Sequence, residues 1–73
     1  MPADMLYRVK EDGNVLVWPN PDSVKARDFI ARELAFLGRD FEMEDGAMWV
    51  EDRNWDDVRD NWLPAEGLTV APR

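Results

Sequence analysis

Neither cysteine nor histidine occurs among the 73 residues. Without cysteine, disulfides cannot contribute stability. Without either residue, the thiolate and imidazole ligands of most structural zinc sites are missing. A cysteine-free chain also fits a reducing compartment. Long apolar runs are absent as well. The longest, such as Val15–Trp18 and Leu34–Leu37, span four residues, against the roughly 20 that a bilayer-spanning helix needs. Met1-Pro2-Ala3-Asp4 has neither the basic nor the apolar region of a secretory signal. The expected location is the cytoplasm, with no membrane partner.

Catalytic equipment is equally sparse. Ser23, Thr69 and Tyr7 are the only hydroxyl side chains, and no histidine is there to act as base. Ser23 reads better as a helix cap. Carboxylate pairs can do acid–base work, but a domain this small rarely builds the pocket that raises one carboxyl's pKa. The four glycines are scattered among turns, so no phosphate-cradling loop forms. Clusters of Lys and Arg are lacking, and the net charge is −7, which disfavours direct contact with nucleic acid or anionic lipid. A non-enzymatic protein without cofactor is expected.

What the chain does hold is aromatic: four Trp, three Phe and one Tyr. These supply large buried areas per residue, and a single domain over residues 1–73 needs them, since its core is thin.

The pattern of elements reads ββαββα. Met5–Lys10 and Val15–Trp18 are strands joined by the turn Glu11-Asp12-Gly13-Asn14. Pro19-Asn20-Pro21 stops the sheet, and Asp22 or Ser23 caps a helix over Val24–Leu37, with Gly38 placed as its C-terminal cap. Ala26, Ile30, Leu34 and Leu37 form its buried stripe, flanked by Phe29 and Phe36. Asp28 and Arg32 are spaced for a weak pair. Glu33 projects between the apolar flanks, either as a core-rim carboxylate paired with an Arg or as part of a partner-facing edge. A second hairpin, Phe41–Glu44 and Ala47–Val50, turns at Asp45-Gly46. Asn54 caps a short helix that ends at Pro64 and turns Trp55, Val58 and Trp62 to one face. Leu68–Val70 is an extra strand or a docked tail. Glu-Asp-Gly recurs at 11–13 and 44–46, which good turn chemistry explains as well as an old duplication does. The fold class is α+β: a small antiparallel sheet with two helices packed on one face.

Hairpin register decides the role of Trp49. With a three-residue Glu-Asp-Gly turn, Trp49 shares a face with Phe41 and Met43 and belongs to the core, which is the cleaner alternation. With a turn of Asp45-Gly46 alone, it opposes Glu42 on the outer face and becomes an aromatic anchor for a partner.

Charge is the main functional clue. Residues 1–39 carry six acids and six bases, and residues 61–73 carry Glu66 and Arg73. Between them, Asp40, Glu42, Glu44, Asp45, Glu51, Asp52, Asp56, Asp57 and Asp60 face only Arg53 and Arg59, so the entire −7 lies within residues 40–60. Alternate strand residues such as Glu42 and Glu44 stand about 7 Å apart. Asp56 and Asp60 stand about 6 Å apart along a helix. Such spacings approach those of phosphates along a nucleic-acid strand, and a row of carboxylates attracts Lys and Arg at long range. An acidic surface kept only for solubility is the plain alternative. A calcium loop from Asp40 to Glu51 has acids at positions 1, 3, 5 and 12, but Gly46 falls one residue late for position 6 and Met48-Trp49 read as strand. No metal site is expected.

In size, lack of cysteine and the carboxylate-rich segment Asp40–Asp60, the chain resembles the small acidic inhibitors that phages encode against host defence, anti-CRISPR proteins and other DNA mimics among them. The resemblance carries no diagnostic motif. It implies stoichiometric binding to the nucleic-acid-binding groove of a defence complex such as a CRISPR effector, inside the host cytoplasm. Two other readings stand beside it. One is an adaptor or antitoxin-like module that neutralises a basic protein partner, with Trp49, Trp55 and Trp62 as hot spots if exposed. The other is a structural homodimer rather than a monomer.

Overall fold

The computed structural model describes residues 2–37 and 45–73. Gly38, Asp40, Glu42, Glu44 and the expected strand at 41–44 lie outside the described residues, as does the side chain of Leu37. Strands β1 (Met5–Val9) and β2 (Val15–Pro19) form the expected antiparallel hairpin, with Tyr7 opposite Val17 and Val9 opposite Val15. Its turn closes through Lys10 N–H to the Asn14 carbonyl at 2.8 Å and Gly13 N–H to the Lys10 carbonyl at 3.0 Å. Gly13 sits at φ +90°, where a side chain is strained.

Helix α1 (Val24–Leu37) follows. Of its two candidate caps, Ser23 does the work: its Oγ accepts from Ala26 N–H at 3.2 Å. Ala26, Phe29 and Ile30 are buried and Leu34 is partly buried. Phe36, expected beside this stripe, is instead 85% exposed. Arg32 also departs from expectation, reaching Glu66 at 3.4 Å rather than Asp28.

Strand β3 (Trp49–Glu51) pairs antiparallel with β2, placing Trp49 opposite Val17 and Glu51 opposite Val15. The second helical segment, α2, is continuous in three pieces: α-helical Trp55–Asp57, π-helical Val58–Trp62 and α-helical Leu63–Ala65. The expectation that Pro64 ends it is corrected. The wider π turn, in which Leu63 N–H bonds to the Val58 carbonyl, carries the chain into a last turn that accepts the ring. The true stop is Gly67, at φ +79°. Its N–H bonds to the Pro64 carbonyl at 2.9 Å, and Leu68 N–H bonds to the Leu63 carbonyl at 3.0 Å. This is a Schellman cap, with Leu63 and Leu68 both buried beneath it.

Strand β4 is Val70–Pro72 rather than Leu68–Val70, and it runs parallel to β1. The four-stranded sheet, in order β3-β2-β1-β4, is therefore mixed and not purely antiparallel. A parallel neighbour needs a crossover connection, and α1, β3 and α2 supply it. Inward-facing Met5, Val15, Val17 and Trp49 meet Phe29, Ile30, Trp55, Val58 and Leu63 in one core. Phe29, Trp49 and Trp62 form a triangle of edge-to-face contacts with centroids 5.3 to 5.8 Å apart. Such pairs add about 0.5–1.5 kcal/mol each beyond area burial, a substantial share for a domain this small. No helix among the described residues is long and apolar enough to cross a membrane.

Candidate functional site

The acidic residues separate into different environments. Asn54 caps α2, its Oδ1 accepting from Asp57 N–H at 3.5 Å. Burial of Trp55, Val58 and Leu63 turns one side of α2 to the core. Asp56, Asp57 and Asp60 fall on the other side and are exposed, as is Asp52 just before the helix. Asp56 and Asp57 lie in the first turn, where the helix dipole favours negative charge.

Among the described residues, Arg59 alone forms ion pairs with these carboxylates. It reaches Asp56 at 3.2 Å and holds Asp60 with two bonds of 2.9 and 3.1 Å. Hydrogen bonding to Asp60, then to the Tyr7 hydroxyl, raises the Arg59 pKa. The same guanidinium holds the Asp60 carboxyl below its ordinary value. Asp57 accepts from the Asn61 amide at 2.7 Å. Asp56, Asp57 and Asp60 thus leave two negative charges on the exposed side of α2, and Asp52 adds a third just before it.

Glu51 does not join that face. It is 2% exposed and takes three bonds from Arg53: the backbone N–H at 2.9 Å, Nε at 2.7 Å and Nη2 at 2.7 Å. The Arg53 guanidinium lies 4.4 Å from the Trp62 ring centroid, so the pair ties β3 to α2. Both oxygens of the carboxylate that would close a calcium loop are committed to this arginine. Glu51 was expected at the surface; the register with β2 turns it inward beside Val15 instead.

Of the two readings of Trp49, the core one holds and the outward anchor is corrected. Trp49 is 2% exposed and packed on Phe29 and Trp62. Asp45 and Gly46 both have positive φ, as in a two-residue turn, yet Trp49 faces the core because its partner is β2. Trp55 is buried and Trp62 partly so.

Asp45 belongs to the opposite face of the sheet. There its carboxylate pairs with Arg8 at 2.9 Å and its carbonyl accepts the Trp18 indole N–H at 3.2 Å. Arg8 and Trp18 alternate with inward-facing Tyr7 and Val17, so β1 and β2 stand between Asp45 and the α2 carboxylates. Sequence reasoning had no signal for this cluster, since residues 8, 18, 45 and 73 meet only through sheet order. Glu33 is partly buried, and among the described residues it forms no ion pair. Burial pushes its carboxyl above the ordinary value, with Glu51 and Glu66 adding and Arg53 opposing.

No family model, curated protein or solved structure matches the chain.

Proposed function

We propose that this chain is a non-enzymatic acidic binding protein that occupies a basic surface of a nucleic-acid-binding protein and inhibits it stoichiometrically. The observation that carries the proposal is the exposed set Asp52, Asp56, Asp57 and Asp60, with which Arg59 alone forms ion pairs among the described residues. Unbalanced carboxylates on a rigid helix steer a basic partner from a distance and discriminate against acidic ones. Asp40, Glu42 and Glu44 extend the charge along the sequence. Glu51 and Trp49 take no part, being buried. The resemblance to phage-encoded inhibitors adds a finer expectation, that the basic surface is the nucleic-acid groove of a CRISPR effector.

The test compares the tagged protein with the fourfold variant D52N/D56N/D57N/D60N in capture from bacterial lysate, at low and high salt, with and without duplex DNA. A nucleic-acid-binding protein is expected with the wild type, displaced by DNA or salt, and reduced about tenfold or more by the variant. Capture indifferent to both DNA and charge neutralisation refutes the proposal. It would instead favour an adaptor that binds through apolar contact, a reading motivated by the 85% exposure of Phe36 and tested by Phe36→Ala.

A further inference from the structure

The sheet face opposite the helices carries a second arrangement, independent of the acidic helix. Trp18 is partly buried there with two guanidinium groups near its ring, Arg73 at 4.0 Å and Arg8 at 5.6 Å from the centroid. The indole bond to the Asp45 carbonyl holds the ring in place. Arg73 is positioned by its backbone, whose N–H donates to the Tyr7 carbonyl at 2.8 Å and extends the β1–β4 ladder. Beside them opens a recess of about 390 Å³, lined chiefly by Pro2, Leu6, Trp18, Pro19, Pro21 and Arg73.

The chemistry of this recess is selective. Its prolines offer no N–H and hold their backbone stiffly. Asn20, also on its wall, is committed: Nδ2 donates to the Ala3 carbonyl at 3.3 Å and Oδ1 accepts from Asp22 N–H at 2.9 Å. Arg8 is committed to Asp45. Arg73 forms no ion pair among the described residues. A guanidinium that uses its face on an indole keeps its N–H edge free, and that edge matches a carboxylate in a two-bonded fork. The recess therefore offers an indole wall that Arg73 shares, a rigid apolar rim and one cation without an ion pair among the described residues, at a volume within the range of small-ligand sites.

We propose that this recess binds a small aromatic monocarboxylate, its ring against Trp18 and the prolines and its carboxylate on Arg73. A cationic ligand would meet Arg73 unfavourably, and a neutral one would leave the Arg73 edge to water.

The probe is 3-phenylpropionate, titrated into the ¹⁵N-labelled protein while following the Trp18 indole N–H and the backbone amides of Leu6, Asn20 and Arg73. Saturable shifts confined to these groups are expected, with Kd on the order of 1 mM for a ligand of this size. The uncharged 3-phenylpropanamide should bind about tenfold more weakly. Arg73→Gln should reduce the acid to the level of the amide while leaving the rest of the spectrum in place. The proposal is overturned by the absence of saturation at about 20 mM, well above that Kd. Equal affinity for acid and amide also overturns it, and that comparison needs no variant. So does undiminished binding of the acid by Arg73→Gln.

Discussion

Asp4→Asn should loosen three parts of the chain at once. One oxygen of the Asp4 carboxylate accepts from Ser23 Oγ at 2.8 Å, and the other accepts from Thr69 N–H at 2.9 Å and Thr69 Oγ1 at 3.1 Å. The Asp4 N–H donates to Thr69 Oγ1 at 2.9 Å, and its carbonyl accepts Asn20 N–H at 2.8 Å. One residue thus ties the start of β1 to the α1 cap and to the approach to β4. Asparagine keeps one acceptor oxygen but sets an NH₂ group against a donor. Hydrogen bonds to a charged group contribute about 1.5–3 kcal/mol, and partial exposure lets water replace some of that. The expected loss at pH 7 is about 2 kcal/mol, or roughly 10 °C in Tm for a domain of this size.

The pH dependence makes the test specific. The Asp4 carboxyl lies below its ordinary value of 3.8, held there first by Thr69 N–H and then by the Ser23 hydroxyl, against some burial. A depressed folded pKa contributes stability in full above the unfolded value and loses it as pH falls through the folded one. The gap between wild type and Asp4→Asn, read by urea denaturation with far-UV circular dichroism, should therefore be widest near neutrality and close in acid. A gap unchanged at about pH 2.5, or smaller than about 0.5 kcal/mol at pH 7, refutes the reasoning.

Two further substitutions probe the interior electrostatics. Arg53→Ala leaves the buried Glu51 carboxylate with only a backbone donor, and should cost about 3 kcal/mol, the low end for breaking a buried pair because Arg53 is partly exposed. Replacing both Glu51 and Arg53 by Leu should recover most of that loss, and a double-mutant cycle by urea denaturation checks the coupling. Glu33→Gln should be neutral to stabilising by up to about 0.5 kcal/mol at pH 7, because the raised Glu33 pKa means that the folded state resists its charge. Wild type should gain on the variant as pH falls through that raised value, and equal curves across the acid range would contradict the assignment.

Local signals in the chain determined the first hairpin, the start of α1 and the Asn54 cap. Each rests on residues close in sequence: Gly13 at positive φ, Ser23 three residues before Ala26, Asn54 three before Asp57. The concentration of acids between 40 and 60 was equally open to inspection, since charge counts need no coordinates. Gly67 was legible in principle, as a glycine just past a helical run, but Pro64 read more loudly as a breaker. Strand pairing was beyond such signals. Register with β2, not the Asp45-Gly46 turn, sent Trp49 and Glu51 into the core and removed both from the acidic surface. The parallel placement of β4 beside β1 created the Asp4–Thr69 tie and brought Arg73 onto Trp18. Those contacts join residues about a whole chain length apart, where apolar burial selects among pairings that local propensity leaves equivalent. Sequence thus determined the composition of the acidic segment, while tertiary pairing decided which of its carboxylates face solvent.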